Sequence, residues 1–381
     1  MRAEHWQPTL VALLVALALA AYNLFSVAQI GENVAHIENA SGQALSRSVT
    51  ITFITDPACQ GCDSAVRVAT QLARQADSLG IILQRENRVA FDSPEGRALI
   101  QKYNIARIPT ILLSHEAGSS QQLQNAWRAV GSIEPDGTFV LRNLQPPYRE
   151  TASGRIVGVV RLIELVAPAC QECFPIASVS AAFKNLGIFL ASQSSIELGT
   201  PAASALIQKY NITKAPTVIL EGDVRAYAGI QSALRRVGSI EADGSYVLRA
   251  PPPPFIELES NRTVGLINIT HLIDPACVGC YDTSVHTDYL AANGVRIANQ
   301  SFVEINSTQG AELAHRYNIT LVPTILASPD IVFYATSGLE PYLAQGSIEA
   351  DGWFVFRNLQ IIPNATYRNL SGDRSSELDG A

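Results

Sequence analysis

Six cysteines form three pairs in which two residues separate the partners. The pairs are Cys59 and Cys62, Cys170 and Cys173, and Cys277 and Cys280, and the chain has no other cysteine. Thiols at this spacing can close a disulfide, exchange disulfides with another molecule or contribute to a metal site. A structural crosslink usually joins distant segments, whereas these loops are so short that closing them adds little stability. The spacing therefore favours redox chemistry, and an inert disulfide remains the alternative.

Metal binding is a second alternative. Each pair supplies only half of the ligands of a structural zinc site. His271 lies six residues before Cys277, and together with Cys277 and Cys280 it could bind copper or zinc in this part of the chain alone. The other histidines recur at no common position, and no nucleotide-binding motif is present. We therefore expect no metal ion and no organic cofactor.

The cysteine pairs belong to a repeat with a period of about 107 residues. Three phrases recur in a fixed order: Pro-Ala-Cys-x-x-Cys, preceded by Asp56, Ala167 and Asp274; Tyr-Asn-Ile-x-x-x-Pro-Thr, starting at Tyr103, Tyr210 and Tyr317; and Gly-Ser-Ile-Glu, starting at Gly131, Gly238 and Gly346. A period of this length indicates tandem domains rather than a solenoid of short units.

Each repeat has the same predicted elements, which we give for the first. The pattern predicts strands at 49–55, 81–85 and 110–113, helices at 59–76 and 93–103, and a hairpin of strands 127–133 and 138–142. Ser93 followed by Pro94 is a typical helix start. Alternating strands and helices that end in a hairpin indicate an α/β fold with a mixed sheet and helices on both faces.

The combination of phrases resembles the thioredoxin family. A Cys-x-x-Cys at the predicted start of a helix is followed, 46 to 50 residues after its first cysteine, by the proline of Tyr-Asn-Ile-x-x-x-Pro-Thr. The resemblance covers roughly 46–360, three times over. It implies three tandem thioredoxin-like domains and a thiol-disulfide oxidoreductase or isomerase.

The resemblance also implies roles for particular residues. Cys59, Cys170 and Cys277 are expected to attack a client disulfide as thiolates stabilised by the helix N-terminus, and Cys62, Cys173 and Cys280 are expected to resolve the mixed disulfide. Pro109, Pro216 and Pro323 are expected to follow cis bonds and to leave the preceding backbone free to pair with substrate. A buried acid that relays protons is expected six positions before the first cysteine, where the chain has Phe53, Glu164 and His271. Glu164 fits this role, His271 is a weaker candidate, and the alternative is that both face solvent.

Several departures limit what the resemblance implies. Alanine replaces the family's aromatic residue before each first cysteine, and no closing helix is evident after the hairpin. Redox potential and client preference are therefore not carried over, and some repeats could bind clients without catalysis. Glu172 stands where Gly61 and Gly279 occur in the other repeats. Its charge predicts that the second site reacts more slowly than the other two.

An apolar segment near the N-terminus and the glycosylation sequons predict export. Residues 10–27 are apolar enough for a membrane span or a signal peptide, and nine Asn-x-Ser/Thr sequons point to a glycoprotein. A net charge of −7 without basic clusters argues against a nucleic-acid partner.

We expect an anchor or signal at 1–28, a stalk at 29–45, domains at 46–150, 151–256 and 257–366, and a disordered tail at 367–381. The domains would lie at a cell surface, in a periplasm-like space or in the endoplasmic reticulum lumen, and would meet client proteins with thiols or disulfides and an unidentified electron partner.

Overall fold

The computed structural model of the chain describes residues 47–371, which form three repeats of one layout. The predicted anchor, the stalk and residues 372–381 lie outside the described residues. Between residues 47 and 371, no helix is long and apolar enough to cross a membrane. We call the repeats unit one, unit two and unit three.

The units share most of their helices and strands. Unit one comprises β1 (Arg47–Thr55), α1 (Ser64–Gln75), β2 (Ile81–Ala90), α2 (Pro94–Lys102), β3 (Arg107–Ile108), β4 (Thr110–Leu113), α3 (Gln121–Val130), β5 (Gly131–Ile133), β6 (Phe139–Leu141) and β7 (Tyr148–Glu150), followed by β8 (Ile156–Val157). Unit two comprises β9 (Val160–Val166), α4 (Ile176–Asn185), β10 (Leu190–Glu197), α5 (Pro201–Tyr210), β11 (Lys214–Ala215), β12 (Thr217–Gly222), α6 (Gln231–Val237), β13 (Gly238–Ile240), β14 (Tyr246–Leu248) and β15 (Phe255–Glu257), followed by β16 (Arg262–Val264). Unit three comprises β17 (Leu266–Ile273), α7 (Ser284–Ala292), β18 (Arg296–Glu304), α8 (Thr308–Arg316), β19 (Leu321–Val322), β20 (Thr324–Ala327), α9 (Glu340–Leu343), β21 (Gly346–Ile348), β22 (Phe354–Phe356) and β23 (Arg368–Asn369).

Each unit is built on a five-stranded mixed sheet. The order in unit one is β2-β1-β4-β6-β5, and the same order recurs as β10-β9-β12-β14-β13 and β18-β17-β20-β22-β21. The first two strands of each unit are parallel, and the remaining pairs are antiparallel. One large aromatic side chain per sheet is fully buried, namely Phe139, Tyr246 and Phe354. The predicted mixed α/β architecture is confirmed.

The predicted strand at 127–133 is wrong in its first half. Gln121–Val130 is a helix, capped by the Ser120 side chain, which accepts a hydrogen bond from Leu123 N–H at 3.2 Å. Leu123 and Trp127 are four residues apart and both buried, so they share one helix face. The apolar pattern therefore has a helical period that the strand prediction missed.

The predicted helix 59–76 begins later than expected. Helix α1 starts at Ser64, after both cysteines, and the loop between Cys59 and Cys62 contains Gly61 with a φ of 72°. Gly279 repeats this left-handed conformation with a φ of 85°, and α7 begins at Ser284. In unit two, α4 begins at Ile176 after Pro175.

The second and third phrases are joined by one arginine in each unit. Arg142 donates to the carbonyl oxygens of Tyr103 and Asn104 at 2.7 and 2.8 Å, and to Glu134 at 2.9 Å. Arg249 and Arg357 make the corresponding bonds to Asn211 and Asn318 and to the hairpin glutamates. The asparagines end the helix in the left-handed conformation. Much of the repeated sequence is therefore scaffold.

A short closing hairpin follows the sheet of units one and two. Its strands are β7 and β8 after unit one, and β15 and β16 after unit two. The predicted domain boundaries after residues 150 and 256 fall within these two hairpins. The boundaries themselves remain predictions. After unit three the counterpart is β23, which pairs with β19, so residues 368–369 of the expected disordered tail form a strand.

Candidate functional site

Each cysteine pair forms a disulfide in a loop at one end of its sheet. The disulfides join Cys59 to Cys62, Cys170 to Cys173 and Cys277 to Cys280, with Cα–Cα distances of 5.6, 5.3 and 5.6 Å. The loops follow the first strands β1, β9 and β17. The helices begin only after the second cysteines, so the first cysteines do not lie in the first helical turn as predicted. Stabilisation of their thiolates by a helix N-terminus remains a prediction.

The predicted prolines lie at the same end of the sheet. The peptide bonds before Pro109, Pro216 and Pro323 are cis. The threonine after each proline pairs with the first strand near its end, as Thr110 does with Ile54. The sheet thus brings the disulfide loop and the proline segment to the same end of its strands.

The backbone before the prolines is paired within the chain, contrary to the prediction that it is free. Strand β3 pairs with β7 of the closing hairpin, placing Arg107 opposite Glu150 and Ile108 opposite Arg149. The same pairing joins β11 to β15 and β19 to β23. An unpaired strand edge would leave backbone N–H and C=O groups without partners. The closing strand supplies these partners, which is the physical reason for the pairing.

A buried ion pair fixes the disulfide loop to the closing strand in two of the units. Arg149 Nε lies 2.7 Å from Asp56 Oδ2, and the Asp56 side chain is 0% exposed. The counterpart in unit three is an ion pair of Arg368 Nη1 with Asp274 Oδ2 at 2.9 Å, in which the arginine side chain is 39% exposed. In unit two both partners are apolar, because Ala167 replaces the aspartate and Ile256 replaces the arginine. The two positions change together.

Glu164 is buried, with 6% of its surface exposed. Its carboxylate accepts hydrogen bonds from Ser180 Oγ at 2.5 Å, Gln193 Nε2 at 3.0 Å and Ser195 Oγ at 2.8 Å. The alternative of a solvent-facing Glu164 is therefore wrong. These hydroxyl and amide donors satisfy the carboxylate, and no cysteine is among them, so its role as a proton relay remains a prediction.

The corresponding positions of the other units are also buried. Phe53 packs under the Arg88 guanidinium, 5.1 Å from the ring centroid. His271 is 0% exposed, and its two ring nitrogens lie 2.8 Å from Thr283 Oγ1 and 3.2 Å from Gln300 Oε1. Burial lowers the pKa of His271. Both nitrogens therefore have protein partners, and the described part of the chain contains no cluster of three or more metal-ligating side chains.

Unit three contains a buried hydrogen-bonded chain that sequence reasoning missed. Tyr281 follows Cys280 directly, and its hydroxyl donates to the carbonyl oxygen of Pro323 at 3.0 Å. His286 lies between Tyr281 and Tyr342, with its Nε2 3.1 Å from one hydroxyl and its Nδ1 2.9 Å from the other. Burial lowers the pKa of His286 to about 4. The available signal was a tyrosine next to a cysteine with a histidine five residues later, but these types do not recur in the other units.

The three disulfides differ in exposure. Cys59 and Cys62 are 8% and 9% exposed. The cysteines of units two and three are only half-buried. Cys170 Sγ lies 3.9 Å from Thr263 Oγ1, on the closing hairpin. Three sites with one sequence pattern therefore have different surroundings.

Comparisons with known proteins add little to this description. No protein-family model matches the chain. No curated protein matches it either. Among solved structures, the N-terminal domain of alkylhydroperoxide reductase AhpF from Enterococcus faecalis is similar at 16% identity, over 46% of this chain and 82% of that one, with a TM-score of 0.14.

Two longer matches cover most of the chain. ERdj5 matches at 12% identity over 92% of this chain and 44% of its own length, with a TM-score of 0.15. Human ERp44 matches at 10% identity over 90% of both chains, also with a TM-score of 0.15. TM-scores of this size do not establish a common arrangement, so the functional argument rests on the geometry of this chain.

Proposed function

We propose that the chain is an extracytoplasmic thiol-disulfide oxidoreductase built from three tandem thioredoxin-like domains, which exchanges disulfides with client proteins. The observation that carries this proposal is the threefold occurrence of a short disulfide loop at the same end of the same five-stranded sheet. A disulfide that spans three positions stabilises a fold very little. Its repeated placement beside the proline segment therefore supports a chemical role.

The exchange needs no cofactor. A client thiolate attacks one sulfur of a site disulfide, a client–site S–S bond forms, and the other site cysteine leaves as a thiolate. A second client thiolate then attacks the client sulfur of this mixed disulfide and releases the first site cysteine. Two electrons have then passed from the client to the site, which ends as a dithiol after protonation. The reverse sequence starts with Cys59, Cys170 or Cys277 as a thiolate and reduces a client disulfide.

Clients are expected to approach the disulfide loop from its outer face. The strand edge before each proline is already paired with the closing strand. Backbone pairing of a client there would require the closing strand to leave. The proposal therefore places recognition on side chains around the loop rather than on a free strand edge.

A second candidate function applies to unit one. Cys59 and Cys62 are buried, so their disulfide could be a structural element of that unit. Reduction would then alter this loop without any turnover of clients. The same interpretation is weaker for units two and three, whose cysteines reach the surface.

The proposed location rests on the sequence. The apolar segment 10–27 and the nine sequons support an exported, anchored glycoprotein with its domains outside the cytoplasm. An oxidising compartment fits three closed disulfides. The electron partner belongs to the same proposal, and we assign it no identity.

Insulin reduction by the full chain in the presence of dithiothreitol tests the proposed function. The parent is compared with variants in which one cysteine pair at a time is changed to Ser, and with a variant that lacks all six cysteines. We expect activity in the parent and none above background in the six-serine variant. Equal rates for these two proteins would reject the oxidoreductase proposal.

A further inference from the structure

The cysteine loop of unit one is in contact with unit two. A β-carbon added to Gly61 would lie 2.2 Å from Cδ2 of Phe189, so the phenyl ring packs directly against the glycine between the two cysteines. Phe189 is half-buried and lies just before strand β10. The loop with the most deeply buried disulfide is therefore the one that an aromatic side chain of the next unit covers.

The position of Phe189 is fixed by hydrogen bonds. Its backbone N–H donates to the hydroxyl of Tyr227 at 2.9 Å, and that hydroxyl donates to the carbonyl oxygen of Gly158 at 2.7 Å. Gly158 follows the closing hairpin of unit one, so the bonds connect Phe189 to the junction between the units. Burial raises the pKa of Tyr227 to about 12, so its hydroxyl stays protonated even well above neutral pH.

Unit three provides the internal comparison. A β-carbon added to Gly279 would have no neighbour within 4 Å, and the adjacent Val278 is 96% exposed. The same glycine is thus covered in unit one and open in unit three. In unit two Glu172 replaces the glycine, and the residue of unit three that is equivalent to Phe189 is Arg296. The equivalence follows from the tyrosine bonds, since Arg296 N–H donates to Tyr334 just as Phe189 does to Tyr227.

We propose that Phe189 withholds the Cys59–Cys62 disulfide from protein clients, and that the Cys277–Cys280 disulfide is the one that faces them. Assigning Cys277–Cys280 to clients rests on the proposed function, whereas shielding by Phe189 does not. The relevant difference is access for a sulfur nucleophile, which must approach along the S–S bond. An aromatic ring on the loop leaves less room for that approach at unit one.

The test measures reduction of each disulfide in the full, folded chain. Samples taken during reduction by dithiothreitol are quenched with N-ethylmaleimide, and peptide mass spectrometry gives the oxidised fraction of each pair. We expect Cys277–Cys280 to be reduced at least about tenfold faster than Cys59–Cys62. Phe189→Ala should raise the rate at Cys59–Cys62 about fivefold or more and leave Cys277–Cys280 within about twofold.

Ile82 supplies the matched control, because it occupies the position of Phe189 in unit one and is 44% exposed. Ile82→Ala should change none of the three rates. If Phe189→Ala fails to fold by circular dichroism, Phe189→Arg introduces the residue that unit three carries at this position. Equal rates at the two sites in the parent, or an unchanged rate at Cys59–Cys62 in a folded Phe189 variant, would overturn shielding.

A second assay, with insulin as the protein client, distinguishes shielding by Phe189 from the proposed oxidoreductase function. Insulin reduction is measured on chains that keep only Cys59 and Cys62, with Phe189 or Ala at position 189. Faster turnover with Ala supports withholding from protein clients, and equal, measurable turnover in the two chains overturns it. Absence of turnover in these chains and also in the parent with all six cysteines, together with ordered dithiothreitol rates, would reject the proposed function and leave shielding by Phe189 in place.

Discussion

Residues at the position six before the first cysteine show how one core site accepts different chemistry. Phe53 is covered by an arginine, Glu164 accepts three hydrogen bonds, and His271 contacts two polar partners. A buried polar group is costly unless it is hydrogen-bonded, and in units two and three the neighbours supply these bonds. The identity of this residue is therefore set by local satisfaction of polar atoms, and a catalytic role for Glu164 has to be shown by kinetics.

His286 gives the first prediction, a pH dependence of the stability of unit three. Its pKa is about 4 in the folded chain and about 6.5 when unfolded, so between these values the unfolded state binds more protons. The contribution of the neutral, buried His286 to the free energy of unfolding is therefore fully present above pH 6.5 and is lost as the pH falls toward 4. The loss at pH 4 is about 3 kcal/mol at most. Burial of His271 acts in the same direction.

Hydrogen exchange of unit three amides between pH 4 and 7 measures this effect, after correction for the intrinsic rates. His286→Leu should flatten the pH dependence of the unfolding free energy relative to the parent. His115, which is 70% exposed in its side chain, is the control, and His115→Leu should leave the profile unchanged. Identical profiles for the parent and His286→Leu would show that carboxylates alone set the acid sensitivity.

At the scale of elements, the sequence predicted the first strands, the second helix with its Ser93 cap and the mixed sheet, because alternation and capping are local signals. It placed the first helix too early, since Cys-x-x-Cys does not by itself show whether the helix begins at the first cysteine or after the second. It also missed the closing hairpin. A pairing such as that of Ile108 with Arg149 is non-local, and its strand is only three residues long. The disulfide sites were found from spacing, but their exposure depends on the neighbouring unit.

The second prediction concerns the contact between the disulfide loop and the closing strand. Arg149→Ile removes the partner of a fully buried Asp56 and should cost about 3 kcal/mol in the local unfolding free energy of unit one. Asp56→Ala with Arg149→Ile reproduces the apolar pair of unit two and should recover most of that loss. Hydrogen exchange of unit one amides in the full chain measures both.

The double variant decides between two explanations of this ion pair. Recovery by the double variant would show that the pair is exchangeable for apolar contact, as the covariation of Ala167 with Ile256 suggests. A further loss beyond Arg149→Ile would contradict the prediction. Asp56 would then act mainly through its bond from Ala58 N–H, at 3.1 Å, which orders the start of the cysteine loop.

At the scale of the whole molecule, the closing hairpins connect each unit to the next. Strand β7 pairs with unit one, while Asp223 of unit two accepts hydrogen bonds from Arg155 at 2.9 Å and from Gly158 N–H at 3.2 Å. The second junction repeats this arrangement, with Asp330 accepting from Arg262 and from Gly265 N–H. The linkers are thus held from both sides, and the two junctions are built alike.

The third prediction tests whether these aspartates order the junctions. Asp223→Ala leaves the N–H of the buried Gly158 without its acceptor, which should speed its hydrogen exchange about tenfold, the equivalent of about 1.4 kcal/mol. Asp330→Ala should speed the exchange of Gly265 N–H in the same way but to a smaller extent. The exposed arginines contribute little, because surface ion pairs are weak.

Each variant is the control for the other, since a change confined to one junction must leave the opposite glycine protected as before. Loss of protection at the substituted junction alone would show that the aspartate holds it. Unchanged exchange in both variants would mean that apolar contacts order the junctions.

At the second junction these apolar contacts include the edge-to-face contact of Phe255 with Phe333, whose centroids are 5.5 Å apart. Tyr148 occupies the place of Phe255 at the first junction, where Ala226 replaces Phe333. The aspartate should therefore matter more at the first junction, which is also the one that holds Phe189 against Gly61.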